Sequence, residues 1–183
     1  MKPELISECV AACLAQFGER RYGSALLSLL PALESTAKLR FPSTKGAGER
    51  VKRFLEEQED IISAISVNMF MQGSHYAGRT FPEAIYTMVE APLLHGGQLD
   101  PKLKFVEVGG LSIGAEEWVL PVQYILGLCV GVLVAPENRY RQQLKEDVVL
   151  RVLGQARLFS VNHMWGAQDL LRQQIRNHFD MEG

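Results

Sequence analysis

The stretch TFPEAIYTMVEAPLLHGGQLD, residues 80–100, carries a carboxylate at Glu90 and an imidazole at His95, with Pro92 between them and Gly96-Gly97 just beyond. An imidazole that titrates near neutrality can move protons, and a carboxylate beside it raises its pKa. A histidine at this position is also explained as a cation favoured by the negative end of a helix. Two further pairs, Arg157 with His163 and Arg172 with His178, are spaced by six residues. That spacing places the partners on different faces of a helix, so both pairs read as chance, with the Arg-Asn-His end of RQQIRNH keeping a claim as a substitute site.

Other chemistry is thinly represented. Cys9 and Cys13 share a helix face, and Cys129 stands alone in sequence. No Cys-His cluster completes a metal site, so the three are read as buried thiols of a reducing cytoplasm. The glycine pairs lack the lysine of a phosphate-binding loop and the spacing of a dinucleotide fingerprint. Neither a metal nor a cofactor is expected. The opening MKPELISECVAAC has acidic residues where an export signal needs an apolar core.

Two charged stretches are candidate surfaces. Glu56, Glu57, Glu59 and Asp60 form the densest charge run in the chain. Arg139, Arg141, Lys145, Arg151 and Arg157 recur through a later segment, but acidic residues dilute them and only Tyr140 is interleaved. The basic set reads as a solvated helix face. With a formal net charge of -2 and a pI near 6.1, no global attraction to nucleic acid is expected. A basic protein partner suits the acidic run better.

The elements that must position these residues follow from periodicity. At 183 residues, with 47% hydrophobic and 22% charged, the chain suits one globular domain spanning residues 1–183. Helical stripes cover 3–17 and 22–38, the second with Pro31 inside it as an expected kink. A long amphipathic helix is predicted over 49–71. Thr80 and Glu83 form a capping box for the helix that carries Tyr86, Glu90 and His95. KFVEVGGLSIG predicts a short hairpin near 105–113 about Gly109-Gly110. The apolar run 118–135 is too short and too interrupted for a membrane span. It reads as a buried central helix whose Gly127 and Gly131 allow close approach. A basic helix capped by Asn138 and running to about 158, then a last helix over 160–178, complete the expectation. The fold class is all-α: a helical bundle of about seven helices with one hairpin insertion.

The order GSALLSLLPALESTAKLRFP, an acidic-basic helix, and AIYTMVEAPLLHGGQLD resembles the HEPN-like all-α family over roughly residues 20–135. That family carries an Arg-x-x-x-x-His motif late in one helix. In active members two protomers bring these residues together and cleave RNA without metal. By this resemblance His95 occupies the histidine position, while Glu90 stands where the family has arginine. A carboxylate there repels the scissile phosphate, so no confident catalytic residue is expected.

The reading that follows is a non-catalytic HEPN-like binding protein, of the kind that serves as an immunity protein or antitoxin against a partner toxin. Its partner-binding residues would be Glu56, Glu57, Glu59, Asp60, Glu83, Tyr86, Glu90 and His95. The alternatives are a metal-independent ribonuclease using His95 in a dimer, and a homodimeric scaffold or regulator.

Overall fold

A computed structural model describes residues 4–94, 98–139, 143–154 and 157–180. It is 56% helical, with eight α-helices and three small sheets among the described residues. The fold is therefore predominantly helical, but it is not the all-α bundle with one hairpin that periodicity predicts.

Helices α1 (Glu4–Gly18) and α2 (Tyr22–Arg40) form an antiparallel pair. The link is tight because Arg20 takes a left-handed φ of 59° while the N–H groups of Arg20 and Arg21 return to the carbonyls of Phe17 and Gln16. Ile6, Val10 and Cys13 on α1 and Leu26, Leu29 and Leu33 on α2 are all buried in one core. Each such leucine, removed from water, contributes ~1.5–3 kcal/mol. Pro31 lies within α2 without interrupting it.

The helix expected over 49–71 is two helices, α3 (Ala47–Glu57) and α4 (Glu59–Val67). The break is at Gln58, with φ -105° and ψ 4°. Its side chain is buried and its Nε2 donates to Gln168 Oε1, 110 residues away. Apolar spacing survives a bend of this kind, so periodicity alone does not report it. Asn68 ends α4 in the left-handed region at φ 52°, four residues before the expected stop.

A two-residue hairpin follows, β1 (His75–Tyr76) and β2 (Arg79–Thr80), turning on Ala77 and Gly78, both at positive φ. It feeds α5 (Phe81–Leu94). The capping interaction is present: Glu83 accepts the Thr80 N–H at 2.9 Å and the Thr80 hydroxyl at 3.0 Å.

The segment near 105–113 does not pair with itself. Strands β3 (Leu103–Val106) and β4 (Ser112–Ile113) lie on either side of β5 (Trp118–Pro121). The first is parallel to β5 and the second antiparallel. The apolar run assigned to a helix from 118 thus begins as a strand, a distinction hydrophobicity cannot make over so few residues. Helix α6 (Gln123–Val134) then crosses α4. A Cβ on Gly127 would collide with the Ser66 hydroxyl and lie 2.8 Å from the Ile62 carbonyl oxygen. Close approach is what this glycine permits.

Beyond α6 the chain departs again from the predicted helix. Pro136–Asn138 form a single 3-10 turn, and Asn138 points inward, donating to Thr36 Oγ1 and the Val132 carbonyl instead of capping a helix. The expected basic helix to about 158 is an antiparallel hairpin, β6 (Val149–Val152) with β7 (Arg157–Ser160). Its period is two: Val152 and Phe159 are buried while Val149, Arg151 and Leu158 are exposed. Asp147 holds it in place, accepting from the Ser160 hydroxyl and the Asn162 N–H. The last helix is likewise two, α7 (Val161–Met164) and α8 (Gln168–His178). No helix among the described residues is long and apolar enough to cross a membrane.

Candidate interaction surface

The acidic run does not form one surface. Glu59 is 2% exposed, and its two oxygens accept the N–H groups of Gly73 and Ser74 at 2.6 and 2.9 Å. It sits at the first turn of α4, facing the loop that leads to β1, and acts as a clamp on that loop. Asp60 accepts two hydrogen bonds from Arg172 on α8, at 2.8 and 3.2 Å. Glu57 bonds Arg40 at 3.1 Å, while its carbonyl takes Arg172 Nη2. Arg40 also forks onto Glu137 at 3.0 and 2.9 Å and lies 5.4 Å from the centre of the Phe54 ring. Of the four acids, only Glu56 stands exposed with no such tie described. Helical spacing placed these carboxylates together; the turn at Gln58 and the arrival of α8 divided them.

The basic set is dispersed for a related reason. Arg151 and Arg157 are on a hairpin, Arg139 follows the 3-10 turn, and Arg141 lies outside the described residues. Neither Arg157 with His163 nor Arg172 with His178 forms a pair. Arg172 is bound to Asp60, and His178 Nε2 meets Asn68 Oδ1 at 3.0 Å.

Among thiols, Cys13 and Cys129 are fully buried and Cys9 partly so, all free. A hydrogen bond from the Cys13 side and burial together raise the Cys129 thiol well above its ordinary value, which disfavours the reactive thiolate. Among the described residues, no three His, Cys, Asp or Glu side chains are arranged to hold a metal.

Glu83 and Tyr86 do converge. They lie one turn apart on α5, and together with Thr87, Lys52 of α3 and Arg79 of β2 they line a surface concavity of about 300 Å³. Tyr86 forms part of it because Gly48, in the first turn of α3, has no side chain: a Cβ there would collide with the Tyr86 hydroxyl. The Lys52 ammonium lies 5.1 Å from the centre of the Tyr86 ring, within cation–π range. Arg79 Nη1 donates to Thr87 Oγ1 at 2.6 Å, and that hydroxyl donates to the Glu83 carbonyl at 2.8 Å. The Thr80 backbone N–H and hydroxyl hold the Glu83 carboxyl below its ordinary value, with Lys52 and Arg79 adding in the same direction.

The sequence signal for two of the five residues of this concavity was the capping box that starts the helix carrying Glu83 and Tyr86. Lys52 and Arg79 were missed. Lys52 is distant in sequence, and only the packing of α3 on α5 brings it to this surface, whereas Arg79 adjoins the capping box and is placed by the β1–β2 hairpin, which periodicity did not predict. The Glu90 side chain and His95, the remaining residues of the predicted set, lie outside the described residues.

A family model described as Rv1289 matches residues 5–182. No curated protein and no solved structure matches the chain.

Proposed function

The chain belongs to the Rv1289 family, and from that premise we propose that it is a non-catalytic binding protein whose partner docks on the α3–α5 face. The observation that carries this reading is the concavity of Lys52, Arg79, Glu83, Tyr86 and Thr87. Charges of both signs and an aromatic ring meet there at the surface, whereas Glu59, Asp60 and Arg40 are committed to holding the fold. Tyrosine and arginine are the residue types that interfaces favour, because each offers a broad contact and directional donors for little ordering cost. The HEPN-like resemblance, with Glu90 in the arginine position, supports recognition in place of cleavage. Its specific form is an immunity protein or antitoxin that occupies a toxin.

The test is a binding measurement between the full chain and the product of the adjacent gene, at low and high salt. Binding that weakens about tenfold or more in a Tyr86→Ala/Arg79→Ala variant supports the α3–α5 face. Binding unaffected by that variant moves the interface elsewhere. RNA cleavage in EDTA at pH 7 that vanishes with His95→Ala would instead establish the ribonuclease.

A further inference from the structure

We propose that the α3–α5 concavity is a carboxylate-binding subsite, at which Lys52 and Arg79 hold an acidic side chain from a segment of a partner protein. The inference rests on reading this face as the docking surface and goes further by assigning the chemistry of what docks. It also reverses the sign expected from the acidic run.

Four observations carry it. Two cations line the concavity against one carboxylate, and that carboxylate is already engaged by the Thr80 N–H and hydroxyl. Among the described residues, neither Lys52 nor Arg79 has a carboxylate oxygen within ion-pair distance. Arg79 spends one N–H group on Thr87 Oγ1, a bond that orients the guanidinium while leaving donors for a second acceptor. The ring of Tyr86 steadies the Lys52 ammonium without neutralising it. The concavity therefore presents an oriented fork and a point charge, which feel the Glu83 carboxylate at longer range but form no close ion pair among the described residues.

The size and surroundings select a protein carboxylate over a nucleic acid. About 300 Å³ is at the small end of binding pockets and suits one acidic side chain. A phosphodiester strand needs a continuous basic track. Glu49 and Glu56, both exposed on α3, interrupt any such track. Arg53 is turned away, donating to Thr44 Oγ1 with its guanidinium over the Phe41 ring at 4.2 Å.

The experiment is an amide-resonance titration of the full chain with a blocked hexaglutamate peptide, compared with hexalysine and a six-nucleotide single strand. Hexaglutamate should move resonances within 48–53 and 79–87, and the Lys52→Ala/Arg79→Ala variant should weaken its binding about tenfold. Glu83→Gln keeps an acceptor for Thr80 and removes the competing charge, so it should tighten hexaglutamate binding severalfold. The absence of shifts on those segments would overturn the proposal. So would stronger binding of the oligonucleotide there, or hexalysine binding that Glu83→Gln weakens. A partner that docks on this face but ignores the Lys52 and Arg79 substitutions sinks the subsite and leaves the docking face standing. Hexaglutamate binding without any adjacent-gene partner does the reverse.

Discussion

The α4–α6 crossing and the α3–α5 face are built from adjoining stretches of chain and use their side chains in opposite ways. At the crossing, Gly127 brings α6 against the Ile62 carbonyl, and Glu59, one turn before Ile62, spends both oxygens on backbone donors. The carboxylate there is spent entirely on the fold. On the α3–α5 face a glycine again sets the geometry, since Gly48 admits the Tyr86 hydroxyl. The residues it gathers, however, are Lys52, Arg79 and Glu83, with their charges at the surface. The same device, a missing Cβ, makes an interior in one place and a recess in the other. What differs is whether the charged groups find backbone partners. A buried carboxylate must find them, because an unpaired one costs more than the fold can supply.

The comparison is tested most severely at Gly127. Gly127→Leu should destabilise the protein by ~3 kcal/mol, the upper end of ordinary overpacking, because the Ile62 backbone carbonyl stands in the way as well as the Ser66 hydroxyl. Urea unfolding measures it, and a loss below the error of the method would mean the crossing is loose. Next in size, Glu59→Ala removes the acceptor for two N–H groups and should cost ~2–3 kcal/mol. Hydrogen exchange at Gly73 and Ser74 should accelerate in step, whereas exchange at α1 should track only the global change.

Asp60→Ala sits between the two regimes. Its bond to Arg172 is half-buried and bidentate, so a loss of ~1 kcal/mol is expected, the upper end for exposed pairs. A cost as large as that of Glu59→Ala would show that the docking of α8 depends on this one pair. Smallest is Lys52→Ala, which should stay within ~0.5 kcal/mol of the parent, as surface changes do.

Glu83 adds a pH signature to the open face. Its carboxyl is lowered in the folded state, so its contribution to stability is present above the ordinary value of 4.5 and is lost as pH falls through the lowered value. The stability gap between the parent and Glu83→Gln should accordingly close on acidification and remain constant between pH 6 and 8. A gap that widened in acid would show that the Thr80 capping bonds do not control this group.

Much of the helical skeleton is legible in the chain. The stripes of α1 and α2, the Thr80–Glu83 cap and the small residues of α6 each report a local constraint that any fold of this sequence must meet. Legibility fails where two structures satisfy the same pattern. Val149–Val152 sets three apolar residues about one arginine, a pattern that fits a strand or a helical face, and only the burial of Val152 and Phe159 decides between them. Trp118–Pro121 leads into α6 without any change of hydrophobicity, so pairing with Leu103–Val106 had to settle it. The candidate site divides in the same manner. Glu83 and Tyr86 share a helix turn and could be grouped from sequence, while Arg79 depended on the unpredicted β1–β2 hairpin and Lys52 on the packing of α3 against α5.

By itself the sequence determined which segments are apolar, where α5 begins, and that Gly127 would lie at a close contact, because each of these is written in neighbours a few residues apart. The tertiary structure alone decided that Glu59 is interior and Glu56 exterior, although three positions separate them. The turn at Gln58 rotates one carboxylate toward the amides of Gly73 and Ser74 and leaves the other in water. A partner fifteen residues or a hundred residues away carries no signal in local spacing, and it is such partners that fix whether a charge holds the fold together or stands ready to bind.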